Sequence, residues 1–364
     1  MKPFEKLHRG MGIAGWMTNY KRMRFVAPEK AFALTIGDKE HFERYLTRWD
    51  IQNIRAMGMD HIRVPFDQVV LEDYDRPYHY HEDMFVLLDR MIDWCLGEGL
   101  EVVLNMHHAV GCYCDFNEGV KLLDNEQLME RFLALWDILE DRYHSLNIIF
   151  EPLNEITTQE AEPWNALVAR YVAMIRAKNP TRRIIIGSPG VNRVYRLKDL
   201  RLYDDDAIGY TYHFYFPYAF SHQRTTINRA EYAYNREVPY PGDCEIYRDY
   251  ARYTGGDPAE FDGLSIVGRE YVERILKSAA DFREEHPDKF LWMGEFGTIR
   301  HAPIKSRENW MRDVIRFALN NGIVYSVWNY LSTPYDCNKF SLVTDDERRI
   351  VSSEMLRIIQ GHVD

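Results

Sequence analysis

The sequence is short of several things, and each shortage narrows what the chain can be. Cysteine is scarce: Cys95, Cys112, Cys114, Cys244 and Cys337 are the only 5 in 364 residues, an odd count that builds no disulfide framework. Cys112-Tyr113-Cys114 is the one close pair. With no second pair to complete a tetrahedral metal site, it reads as packed or solvated thiol. Positive charge is in deficit, the net being -11, which argues against nucleic acid or an anionic membrane as partner and fits a neutral substrate. No apolar run is long enough to span a bilayer, and the opening MKPFEKLHRG has no signal-peptide core. The expectation is therefore a cytoplasmic protein, or a secreted one if a leader has been removed. No linker, low-complexity tract or short repeat breaks the chain, so nothing marks a domain boundary.

What the chain does have is apolar and aromatic mass. Apolar residues make up 46% and charged residues 28%, enough for a sizeable core in a soluble protein. Aromatics reach 14%, with 24 Tyr and 8 Trp. Most belong to a core, and any excess suits sugar rings, whose C–H faces stack on aromatic planes.

Short apolar runs alternate with helical periodicity along the whole length. Strands are expected at 10–16, 61–65, 100–105, 147–151, 183–187, 207–213, 290–294 and 323–328, with Pro65 ending the second. Helices are expected at 40–57, 84–96, 127–143, 164–178, 271–285, 309–320 and 350–359, and several stop at glycine or Asn-Pro. Segments 17–38 and 68–82 read as loops, and a polar, tyrosine-rich excursion fills 216–264. Loops of that length are functional or partly structured in their own right. The economical fold is α/β: one (β/α)₈ barrel over residues 1–364 with long loops after its strands, the longest after strand 6.

A parallel barrel gathers the C-terminal ends of its strands at one mouth, and its chemistry sits there. The expected strand ends carry Trp16, Arg63, His107 with His108, Asn154 with Glu155, His213 with Tyr215, Glu295, and Trp328. Two carboxylates at one mouth suit glycoside hydrolysis, which needs a proton donor and a nucleophile or base. Glu151 lies beside Glu155 on one strand end, and one of the two serves to brace the barrel. His107 and His108 are neighbours on a strand and face opposite ways, so they do not grip one metal from one face.

Phe150-Glu151-Pro152-Leu153-Asn154-Glu155 and Gly294-Glu295-Phe296-Gly297 resemble the acid/base and nucleophile strands of family 5 glycoside hydrolases. That family comprises cellulases, mannanases and related retaining β-glycosidases of the large (β/α)₈ clan. Arg63 in Arg63-Val64-Pro65, His107 before His108, His213-Phe214-Tyr215 and Trp328 fall at the family's other active-site positions, so the resemblance runs from the first strand to the eighth. Ile156 and Asn105 depart from the proline and aspartate of many members, and neither change removes a catalytic group. The resemblance implies Glu295 as nucleophile and Glu155 as acid/base. It further implies that Asn154 meets the sugar 2-hydroxyl, that His107 and His213 hold hydroxyls and carboxylates, and that Trp328 floors the reacting ring. His108 and Trp16 are further candidate sugar contacts.

No metal or organic cofactor is called for, and the expected partner is a β-linked oligo- or polysaccharide, with β-1,4-glucan in the lead. Exo-acting β-glucosidase, β-mannosidase and β-mannanase activities are the alternatives. The long loops are expected to wall one end of the cleft and favour short oligosaccharides or chain ends. Two other classes compete. A non-catalytic sugar-binding barrel should lack a carboxylate. A metal-dependent hydrolase should place ligands on several strand ends, where this chain has carboxamide, Arg and Trp.

Overall fold

A computed structural model describes residues 2–18, 20, 34–113, 120–226, 229–334, 336 and 338–364. Cys114 and Cys337, and most of the expected loop at 17–38, lie outside the described residues. Cys95, Cys112 and Cys244 are buried free thiols. Among the described residues no helix is long and apolar enough to cross a membrane.

Eight strands close into a barrel in sequence order: β1 Arg9–Gly12, β2 His61–Asp67, β3 Glu101–His108, β4 Ile149–Glu151, β5 Arg183–Gly187, β6 Ile208–Phe214, β7 Leu291–Phe296 and β8 Val324–Val327. Every neighbouring pair is parallel, including β8 with β1. Such strands are covered on both faces, which is why they read as nearly unbroken apolar runs. The outer layer is α1 Ile36–Arg44, α2 Arg48–Ala56, α3 Glu82–Gly97, α4 Glu126–Tyr143, α5 Ala161–Lys178, α6 Cys244–Thr254, α7 Arg269–Glu285, α8 Ile304–Asn320 and α9 Ser353–Ile359. Val103, Ile149, Ile185 and Trp292 form a buried cluster of their own with Phe4 and Leu7, which precede β1. Phe4 stacks on Phe290 at 4.3 Å, just before β7, so this segment stops the barrel at the end opposite the mouth.

Several elements differ from the sequence reading, each for a local reason. The helix expected at 40–57 is two, because Thr47 and Asp50 cap a new start: Thr47 N donates to Asp50 Oδ2 at 2.8 Å, and the buried Asp50 is held there by the Tyr330 hydroxyl at 3.1 Å. α1 begins inside the expected loop, on a capping box between Thr35 and Asp38. Pro65 does not end β2. It pairs with Asn105 and the strand continues to Asp67, since a proline φ fits extended chain and gives up only one donor. β1 stops at Gly12, short of Trp16. Between β5 and β6 a 3₁₀ helix, Val194–Asp199, stands in for an α-helix and packs on α7.

The excursion after β6 is folded. It carries α6, a two-stranded antiparallel pair (Gly242–Asp243 with Ile266–Val267) and a 3₁₀ turn. Its contacts reach the loops after β7 and β8, where the Ser221 carbonyl accepts from Ile299 N at 2.8 Å and Thr225 Oγ1 donates to Asn338 Oδ1 at 2.6 Å, and also the flank of the barrel. Tyr240 N donates to Ser306 Oγ at 3.0 Å and the Tyr240 hydroxyl to Asp313 Oδ2 at 2.9 Å, both on α8.

At the N-terminal ends of β4 and β5, opposite the mouth, a buried ion pair ties these strands to α4. Arg182 Nε donates to Glu140 Oε2 at 2.7 Å, and its other nitrogens reach the carbonyls of Tyr143, Leu146 and Ile148 at 2.7–2.9 Å. Asn179 Nδ2 adds a bond to Glu140 Oε1 at 2.9 Å. Removing one partner of such a pair strands a buried charge. Arg182→Ala is therefore expected to cost about 3–5 kcal/mol of stability, read as a lower urea midpoint at unchanged slope.

Candidate active site

The polar strand ends meet around one guanidinium. Arg63, on β2, has no exposed surface. Its Nε and Nη2 donate to Glu151 Oε2 and Oε1 at 2.7 and 2.9 Å, a two-pronged bond from β2 to β4. Nη2 also donates to Asn154 Oδ1 at 2.8 Å, and Nη1 to Glu295 Oε1. Burial works against the cation, yet Glu151 and Glu295 outweigh it and raise its pKa. Glu151 is wholly buried and braces the barrel.

Glu295 ends β7 among donors. The Tyr215 hydroxyl donates to its Oε2 at 2.8 Å, and His213 Nδ1 lies 3.6 Å from the same oxygen. Burial pushes the Glu295 carboxyl above the ordinary range; His213 and Arg63 pull it back, Glu155 pushes up, and the Tyr215 bond pulls down. Glu155 follows β4 at a positive φ of 38°, a strained conformation for a residue with a side chain. Its side chain is 22% exposed against 5% for Glu295. Oxygens of Glu155 and Glu295 and a ring nitrogen of His213 all lie within 4.8 Å of one another. One carboxylate is thus sunk among fixed donors while the other faces the opening.

Two amides orient the groups between them. Asn192 Nδ2 only donates, so His213 Nε2, 3.1 Å away, accepts from it, and Nδ1 carries the proton that it donates to Glu155 Oε1 at 2.7 Å. Burial lowers the His213 pKa to about 4, so the ring is neutral near neutral pH and this tautomer is the one that acts. Asn154 is fixed in the same way. Arginine only donates, so Oδ1 faces Arg63 and the NH₂ turns toward His107 Nε2, 3.5 Å away. His107 Nδ1 in turn bonds Asn105 Oδ1 at 3.2 Å.

Trp328 follows β8, stacks on His107 (5.4 Å, 6°) and lies under the Arg63 guanidinium at 5.7 Å. Backbone clearance sets its position: a Cβ on Gly297 would stand 2.0 Å from the Trp328 carbonyl oxygen, and one on Gly12 2.6 Å from its ring. Only glycine allows that approach.

The sequence-expected residues therefore gather, with three corrections. Trp16 is 1% exposed, donating its Nε1 to the Phe42 carbonyl at 2.8 Å, so it is core and offers no sugar platform. His108 has no exposed surface and bonds Asp67 Oδ1 at 2.7 Å, one layer behind the mouth. Arg63 is closed to a ligand as well and acts through the carboxylates it holds. Asn192 is the residue that sequence reasoning missed. It ends a tight turn after Gly187-Ser188-Pro189-Gly190, at the one strand end, that of β5, for which no polar group had been named. Glu155, His213 and Glu295 are the one grouping among the described residues with atoms close enough to share a metal. Arg63, Tyr215 and the His213 N–H already occupy those oxygens, so the set behaves as hydrogen-bonded carboxylates.

Known proteins resemble the chain over most of its length. The family model described as Cellulase (glycosyl hydrolase family 5) matches residues 28–333. Endoglucanase C of Acetivibrio thermocellus is 33% identical over 355 residues, covering 96% of this chain and 97% of that one. Cellodextrinase A of Ruminococcus flavefaciens is 26% identical over 319 residues, 86% of this chain and 83% of its own. Among solved structures, a hyperthermophilic endo-β-1,4-glucanase in complex with substrate superimposes with a TM-score of 0.74 at 20% identity over 99% of this chain and 100% of that one.

The Tyr215 bond gives a test of the electrostatics. Tyr215→Phe removes a donor from the Glu295 carboxylate, which raises the carboxyl pKa, so the acidic limb of kcat/KM should move to higher pH. The loss at the optimum should be roughly tenfold or more, as a bond to a charged group contributes about 1.5–3 kcal/mol. An acidic limb that stays in place would mean that Glu295 is not the group titrating there.

Proposed function

The chain belongs to glycosyl hydrolase family 5 and is a glycoside hydrolase, and from that premise we propose that it cleaves β-1,4-linked glucan and gluco-oligosaccharides with retention of configuration. The observation that carries this reading is the approach of an oxygen of Glu155 to an oxygen of Glu295 within 4.8 Å. Retaining enzymes set their carboxyl groups about 5–5.5 Å apart, whereas inverting ones leave about 6.5–9.5 Å for a water.

Glu295 attacks the anomeric carbon to form a glycosyl-enzyme, and Glu155 protonates the departing oxygen. Arg63 and Tyr215 keep Glu295 ionised and aimed, so little reorganisation is left for the reaction itself. Glu155 enters this step as the proton donor beside the charged Glu295. Once Glu295 is esterified that charge is gone, and Glu155 becomes the base that takes a proton from water. His213, neutral and with its N–H toward both carboxyls, steadies the anion at each stage. The Asn154 NH₂ faces the reacting ring and donates to its 2-hydroxyl, a bond that tightens as oxocarbenium character develops. Trp328 supplies the apolar floor under that ring. No step calls on a metal or organic cofactor.

The relatives named endoglucanase match over nearly the whole length, which favours glucan over mannan. The same endoglucanase relatives favour internal cleavage over chain-end action, against the sequence expectation of a walled cleft.

The test is hydrolysis of cello- and manno-oligosaccharides with product anomers followed by NMR. The β-anomer should form first on cello-oligosaccharides. Glu295→Ala should abolish turnover, and Glu155→Ala should slow it by about 10²–10⁴-fold, the range for a lost general acid. First-formed α-anomer, or variants equal to wild type, would overturn the assignment.

A further inference from the structure

A second concavity lies on the β4–β5 side, against the loop that follows Glu155. Its volume is about 250 Å³, and Thr157, Gln159, Gly190, Val191, Arg193 and Tyr195 are among the residues lining it. Thr157 and Gln159 follow Glu155 directly in the chain. The turn supplying the opposite wall is tied to the same loop, because Val191 N donates to the Ile156 carbonyl at 2.9 Å. The next residue but one, Arg193, pairs through its backbone with His213, whose ring bonds Glu155. The pocket and the acid thus share their supports.

The lining has the chemistry of a sugar subsite. Tyr195 is 42% exposed, unusual for an aromatic in this chain. The Arg193 guanidinium lies 6.0 Å above its ring, with Nη1 donating to the Tyr195 hydroxyl at 2.7 Å. Arg193 Nε is buried and without a partner. Burial opposes its charge, but Tyr195, Tyr218 and Glu155 outweigh that and raise its pKa, so the cation stands within electrostatic range of the acid. An aromatic plane beside an arginine, flanked by Thr and Gln, matches a neutral pyranose. The ring face stacks on the tyrosine, and the hydroxyls meet the edge of the guanidinium, the threonine and the glutamine.

Position settles which sugar. The barrel order puts β8, which bears Trp328, across from β4 and β5. The reacting ring lies over Trp328, so the departing group leaves on the side of Glu155, toward the loop whose Thr157 and Gln159 line this pocket. We propose that Tyr195 and Arg193 form the leaving-group subsite, binding the one glucosyl unit that follows the scissile bond. The assignment rests on the retaining-glucanase reading above and specifies where that enzyme holds the unreacted half of its substrate.

The experiment compares cellopentaose with β-cellobiosyl fluoride, which forms the same glycosyl-enzyme but carries no leaving-group sugar. In Tyr195→Ala and Arg193→Gln the ratio of kcat/KM for cellopentaose to that for the fluoride should fall about tenfold or more, one or two lost subsite contacts. Tyr195→Phe, which keeps the ring face, should hold the ratio for the stacking part. An unchanged ratio in Tyr195→Ala and Arg193→Gln would overturn the subsite. So would an equal fall on both substrates, which would make these residues supports for Glu155. A wild type that turns over neither substrate would refute the glucanase reading itself.

Discussion

The site depends on the charge of Arg63. One cation with no exposed surface answers two carboxylates and an amide drawn from β4 and β7. A buried charge of this kind is tolerable only if every partner is in place. The mouth of the barrel is therefore assembled as a unit, and a slip of β2 against its neighbours would strip Glu151 of its two-pronged partner and Glu295 of its cation. Glu151 takes the two-pronged bond and remains structural. Glu295 takes a single bond and keeps its second oxygen for Tyr215. Two chemically identical side chains acquire separate jobs from the number and direction of their donors.

From that anchor, orientation passes outward by the one-way logic of donors and acceptors. Arg63 fixes the face of Asn154, whose NH₂ is then turned toward the opening. On the other side Asn192 fixes the tautomer of His213, whose N–H is then directed at Glu155. Neither amide is free to flip without setting donor against donor or acceptor against acceptor, so the polar site is preorganised before any sugar arrives.

Much of this was legible in the sequence because a parallel barrel writes its site in strand ends. The apolar runs located all eight strands, and polar groups at their C-terminal ends named Arg63, His107, Asn154, Glu155, His213, Tyr215, Glu295 and Trp328. What misled was depth. Trp16 and His108 also follow strands and carry suitable chemistry, but whether a side chain reaches the cavity depends on neighbours far away in the chain, Phe42 for one and Asp67 for the other. Asn192 went unread because its turn lies past the strand and is built by left-handed residues, Gly190 and Val191, that carry no periodicity. The split of the 40–57 helix was written in Thr47 and Asp50, a local signal outweighed by a stronger apolar period.

The close passage of Gly297 beneath the Trp328 carbonyl fixes more than a rotamer. Main chain rests on main chain there, with no side chain between as a shim. The depth of the floor under the bound ring is thus a dimension of the barrel itself. Warming that loosens side chains will blur the rim of the cleft long before it alters the height at which a sugar sits above Glu295. Redesign for a bulkier or slimmer ring has little purchase at this position and must work from the walls.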